Sequence, residues 1–165
     1  MMVVVSRTGR HLQRYKKGRR LVVGCIPYRY NEEKLEVLVI SAHRPGKGML
    51  FPKGGWEADE SMTQAALRET EEEAGVSGRI ENKLGKWRFK SQSRGAYREG
   101  HMFPLRVQKQ LELWPEKNSR QRIWMSVEDA KDACQQEWMR EALDRLEQRL
   151  AVVKREQKVV AACTL

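Results

Sequence analysis

The chain has 165 residues, 40% apolar and 33% charged, with a formal net charge of +10. That is one domain's worth of core beneath a heavily charged surface. No run of 18 apolar residues is present, which excludes a membrane-spanning helix, and Met1–Val5 is too short for a signal-peptide core.

Cys25, Cys134 and Cys163 are few and far apart, which excludes a disulfide framework or thiolate zinc site and suits a reducing compartment. Residues 1–20 hold seven Lys/Arg and no acid, and residues 79–106 hold eight against Glu81 and Glu99. Two basic segments on a mildly acidic remainder point to a polyanionic ligand. Residues 1–17 read as a basic arm. It is Arg-rich and acid-free like a mitochondrial transit peptide, but it has one serine and no amphipathic stripe, which ranks cytoplasm or nucleus ahead of mitochondrion.

In chain order, Arg20–Tyr30 and Leu35–Ser41 are predicted strands joined by a hairpin connection over residues 31–34. His43–Gly55 contains two prolines and four glycines, a long loop around a short Met-Leu-Phe strand. Ser61 with Gln64 forms a capping box that opens a helix, and Gly75 stands where a left-handed terminating residue belongs. Strands follow at Leu84–Lys90, His101–Val107 and Ile123–Met125, with Pro104 pushing its strand toward an edge or bulge. Ser126 with Asp129 begins a second helical region, in which Met139, Leu143, Leu146 and Leu150 form the stripe of a helix laid on a sheet. Residues 151–165 lose that pattern and are expected to fray. The expected fold class is α/β: one domain over 18–150, a mixed β-sheet sandwiched between α-helices.

The chemistry is concentrated in residues 54–76, which read G-x5-E-x7-R-E-x-x-E-E-x-G-V. On a helical wheel Glu69, Glu72 and Glu73 fall within an arc of about 100°. Three carboxylates so close repel one another unless cations sit among them. Hard oxygen donors of this kind select Mg²⁺ or Mn²⁺, which bridge to phosphate. The ordinary reading of such a run is a solvated charged helix; the glycines before it and the fixed spacing argue against that here. Thr63, Ala66, Leu67, Thr70 and Ala74 form a small docking face, and Glu71 points away from the carboxylates. Gly54 and Gly55 leave room for phosphates and for a backbone carbonyl to reach a metal.

This pattern is the Nudix box, and the chain resembles Nudix hydrolases. Beyond the box, over roughly residues 18–150, it resembles the plant group related to diphosphoinositol polyphosphate phosphohydrolases and diadenosine polyphosphate hydrolases. The resemblance implies the Nudix fold and metal-dependent cleavage of a phosphoanhydride. Glu69, Glu73 and a carbonyl at Lys53 or Gly54 would bind the metal, Glu72 would be the general base, and Arg68 would orient a glutamate. Arg20 and Arg44 match phosphate-contacting positions, with Lys53, Gly54 and Gly55 completing the substrate site; Arg88, Arg94 and Arg98 carry over less securely because loop lengths differ. The implied substrate is small and polyphosphorylated, an inositol pyrophosphate or a long diadenosine polyphosphate. RNA decapping is an alternative, and it would want a stacking aromatic such as Trp56 or Trp87. A non-catalytic module that binds RNA or protein is a third reading, at odds with the complete set of carboxylates. No membrane partner is implied, and oligomeric state is left open.

Overall fold

The structure is a computed structural model and describes residues 12–91 and 95–164. β1 (Tyr15–Lys16) and β2 (Arg19–Asn31) are joined by Lys17 and Gly18, with φ of 50° and 78°. β3 (Lys34–Ser41) follows across Glu32 and Glu33, with φ of 50° and 67°. Two successive positive φ values are what a tight hairpin of type I′ requires. β4 (Met49–Leu50), β5 (Lys53–Gly55), α1 (Met62–Ala74), β6 (Val76–Ile80), β7 (Gly85–Lys90), β8 (Tyr97–Gln110), β9 (Arg122–Ser126), α2 (Val127–Ala133) and α3 (Glu137–Cys163) complete the chain.

Among the described residues the strands form one mixed sheet. At its centre β2 and β8 run parallel, from Arg20 opposite Arg98 to Tyr28 opposite Arg106. The other pairings are antiparallel, with β3 and β9 on one side and β6 and β7 on the other. Strand alternation sends Val23 and Cys25 toward α1, where the Cys25 thiol donates to the Ala66 carbonyl at 3.6 Å. The alternate residues of the central strands face α3, where a side chain at Gly100 would meet Trp138. Buried Val23, Ile26, Leu38, Ile40, Met102, Leu105, Met139, Leu143 and Leu146 belong to one core. The expected architecture, a mixed sheet between helices in one domain, is the observed one.

Four expectations need correction. The basic arm does not run free to residue 17: β1 pairs with β2, and Arg14 donates to the carbonyls of Glu57, Ala58 and Glu60 at 3.2, 2.9 and 3.2 Å. Residues 1–11 lie outside the described part. Pro104 does not sit on an edge, since β8 has partners on both sides, and the irregularity in β8 pairing falls at Ser77/Gly78, opposite Val107 and Lys109, and not at Pro104. The proline falls where β7 gives way to β6, and its carbonyl accepts from Glu81, so its missing N–H interrupts no ladder. Residues 151–163 continue α3 as helix with every side chain exposed. Thr63 is exposed, whereas Ala65, Ala66, Thr70 and Ala74 make the buried face of α1. Thr70 tolerates full burial because its hydroxyl donates to the Ala66 carbonyl at 2.8 Å.

Candidate active site

α1 carries the carboxylates, and both of its ends are fixed. At the N-terminus Gln64 N–H donates to the Ser61 hydroxyl at 3.1 Å, and Ser61 N–H to the Gln64 side chain at 2.8 Å. At the C-terminus the last four carbonyls of a helix lack intrahelical partners, and residues 111–122 help supply them. Glu71 accepts from Gly75 N–H, Glu72 from Glu116 N–H, Glu73 from the Trp114 indole and Ala74 from Arg122. Gly75 closes the helix at φ 64°, and a side chain there would strike Trp114 and Arg122.

Arg68 is the hub of the box. Its guanidinium grips Glu60 through both oxygens at 2.9 and 2.6 Å and reaches Glu69 at 2.8 Å, Glu72 at 3.5 Å and the Gly55 carbonyl at 2.9 Å. Partial burial works against its charge, but Glu60 and Glu69 hold its pKa above the usual value. The sequence places Glu60 at a fixed box position; the structure shows it orienting Arg68.

Glu73 is set by groups outside the helix. Lys53 N–H donates to one oxygen at 3.2 Å, and Arg120 approaches the other at 3.5 Å. Arg120 in turn bonds Glu116 at 2.9 Å and the Ser41 carbonyl at 2.8 Å, and His43 meets Glu116 at 3.0 Å. Burial pushes Glu73 up to about 8 and Glu69 up to about 7, against the pull of Arg120 on the first and Arg68 on the second. Glu72 is buried beside them.

These groups fit a hard divalent cation. A side chain at Gly54 would lie 2.1 Å from the Glu69 carboxylate, so the backbone meets that carboxylate with nothing between. A nearby divalent charge would oppose the effect of burial and favour the ionised carboxylates. Among the described residues no three acidic, imidazole or thiol side chains are already gathered for a metal. An ion here would therefore draw on backbone carbonyl and phosphate oxygens as well.

Beside the carboxylates, Arg44, Lys53, Phe89, Lys90, Ser91, Arg98 and Gln136 line a pocket of about 200 Å³. Burial lowers the Lys53 pKa and Glu73 opposes that, while Arg120, Arg98 and Arg20 add to the lowering. Arg20 stands against Gly55, where a side chain would come within 2.8 Å of its guanidinium. Arg20, Arg44, Lys53, Gly54 and Gly55 are thus brought to one end of the sheet. Arg98 joins them and Arg88 does not, being paired with Glu99 in register on the other face; Arg94 lies outside the described residues.

Sequence reasoning missed Arg120, Glu116, His43 and Phe89. The only signal for Arg120 was a basic Arg-Gln-Arg that runs into β9. The two tryptophans are engaged in the fold. Trp56 lies under Arg14 and donates to Glu60 O at 2.9 Å, whereas Trp87 is buried against Trp138 and Arg145.

Comparison with known proteins identifies the family and the fold. The NUDIX domain family matches residues 18–146. Nudix hydrolase 18, mitochondrial, of Arabidopsis thaliana is 57% identical over 160 residues, covering 93% of this chain and 90% of its own. Diphosphoinositol polyphosphate phosphohydrolase 3-alpha of Mus musculus is 34% identical over 116 residues, covering 69% and 68%. The binary complex of C. elegans Ap4A hydrolase superposes with a TM-score of 0.65 at 24% identity, covering 79% of this chain and 97% of that one, a likeness of fold.

Proposed function

The chain belongs to the Nudix hydrolase family, and from that premise we propose that it hydrolyses a phosphoanhydride bond in a small, highly phosphorylated substrate. The observation that carries this reading is the pocket of Arg44, Lys53, Lys90 and Arg98 beside Glu73, four cations where a single diphosphate needs fewer. The mouse relative's name, a diphosphoinositol polyphosphate phosphohydrolase, supports the inositol pyrophosphate class. Long diadenosine polyphosphates meet the same charge requirement. RNA decapping is less well supported, because Trp56 and Trp87 are both committed to packing.

Each group has a task in this reading. Glu69, Glu73 and a carbonyl at Lys53 or Gly54 would hold Mg²⁺ or Mn²⁺, which when bound neutralises phosphate charge and acidifies water. Arg44, Lys53 and Arg98 bind and orient the phosphates, with Arg20 at the same end of the sheet. Glu72 takes the proton from the attacking water, and Arg68 holds Glu69 and Glu72 in place. The organelle label in the Arabidopsis relative's name gives weight to the mitochondrial reading of the basic N-terminal residues.

The test is phosphate release from an inositol pyrophosphate, diadenosine hexaphosphate and capped RNA, with Mg²⁺ or Mn²⁺ supplied. The expected result is turnover of one or both of the first two and little of the third. Glu73→Gln should fold normally and lose kcat by orders of magnitude, and Glu72→Gln should change the pH–rate profile. Near-normal turnover in Glu73→Gln would refute the metal assignment, and preferential cleavage of capped RNA would refute the substrate class.

A further inference from the structure

A second basic concavity lies on the sheet face opposite the Arg98 pocket. Partners in register share a face, so Arg88 and Glu99 project together, as do Lys86 and His101. Leu21 lies opposite Glu99 on β2, which puts Arg19 on that face as well. The hairpin between β1 and β2 adds Lys16 and Lys17. These five cations, with Glu99 and Trp87, line a cavity of about 270 Å³.

The five cations there face a single carboxylate, that of Glu99. Glu99 is buried and already engaged, accepting from His101 Nε2 at 2.9 Å with Arg19 at 3.8 Å. Among the described residues Lys16, Lys17, Lys86 and Arg88 form no direct ion pair, although Lys16 and Lys86 lie near enough to Glu99 to favour its charge. Arg19 Nε is buried without a hydrogen-bond partner. Lys17, at φ 50°, occupies the tight turn of the β1–β2 hairpin. Cations in such excess over one carboxylate repel one another unless a further anion sits among them.

We propose that this concavity is a second phosphate-binding site, which takes a short phosphate chain such as a di- or triphosphate. The cavity is compact, which suits a small anion. It also offers no free ring face for stacking bases, since Trp87 packs against Trp138 and Arg145, and a single-stranded nucleic acid would want such a platform. The site is independent of the catalytic reading: none of its cations lines the pocket beside Glu73.

The test is calorimetric titration of the full chain with tripolyphosphate in divalent-free buffer at about 0.15 M salt, where turnover plays no part. A binding component should persist in Arg98→Ser and weaken tenfold or more in Lys86→Ser/Arg88→Ser. Lys16→Ser/Lys17→Gly should weaken the same component, and its glycine suits the positive φ, so folding is retained. Isotherms of both double variants identical to wild type would overturn the proposal. So would tighter binding of a single-stranded RNA than of tripolyphosphate at the same residues, which would assign the surface to nucleic acid.

Discussion

At Gly54 the space for one hydrogen atom separates the loop backbone from the Glu69 carboxylate. A Cβ there would sit 2.1 Å from it, so Gly54→Ala must displace either the loop or the carboxylate. Because the clash is local to the site, kcat should fall at least tenfold while the melting temperature changes little; paired kinetic and thermal measurements check this. His101 offers a separate readout, in stability. Lys83 can only donate, so Nδ1 accepts from it at 3.2 Å and Nε2 carries the proton given to Glu99. Burial lowers the His101 pKa below its usual 6.5, outweighing the pull of Glu99. Below about pH 6.5 the unfolded chain therefore binds a proton that the folded chain refuses, and stability falls as pH drops. Burial works against the Glu99 charge, but the His101 bond holds its pKa below 4.5, so that contribution is lost only at still lower pH. Urea denaturation at pH 7 and pH 5.5 should show this loss in the wild type and a smaller one in His101→Gln.

α1 is held at both ends as well as by its apolar face, where three buried alanines and Thr70 are flanked by the partly buried Met62 and Leu67. The capping box is one anchor: Ser61→Ala should cost about 1 kcal/mol in equilibrium unfolding. The other anchor is the 111–122 segment, which satisfies the helix carbonyls and also delivers Arg120 to Glu73. α3 divides into two parts. Its first half buries Trp138, Met139, Ala142, Leu143 and Leu146 in the core, whereas residues 151–163 are exposed throughout. Truncation after Leu150 should lower helix content by circular dichroism and leave the midpoint of unfolding nearly unchanged. A large fall in the midpoint would mean that the exposed half contributes to the core after all.

Across the molecule, the +10 charge is sorted by the pleat of the sheet. Arg98 serves the pocket beside Glu73, while Arg88 and Lys86 turn to the reverse face, although all three belong to one basic segment of the sequence. If the proposed function holds, charge around the pocket beside Glu73 should make KM for a polyphosphorylated substrate rise steeply with added salt. Arg98→Ala should flatten that dependence and reduce kcat/KM most for the most highly phosphorylated substrate. Equal salt slopes in wild type and variant would remove Arg98 from the substrate site.

The box, its helix and both caps were legible in the sequence, because a capping box, a terminating glycine and carboxylates on one helix face are local patterns fixed by backbone geometry. The β2–β3 hairpin was legible for the same reason, and so was the α3 stripe through Leu150. The contacts of Glu73 were not legible: its partners, Lys53 N–H and Arg120, are 20 and 47 positions away, and only the packing of the 111–122 segment on α1 brings Arg120 there. The division of Arg88 from Arg98 was likewise hidden, since register depends on which strands pair. Pro104 could be read as a strand breaker, but only the handover from β7 to β6 decided that the central strand could hold it. Local chemistry is written in local sequence, whereas the distribution of charge between two faces is settled when the sheet closes.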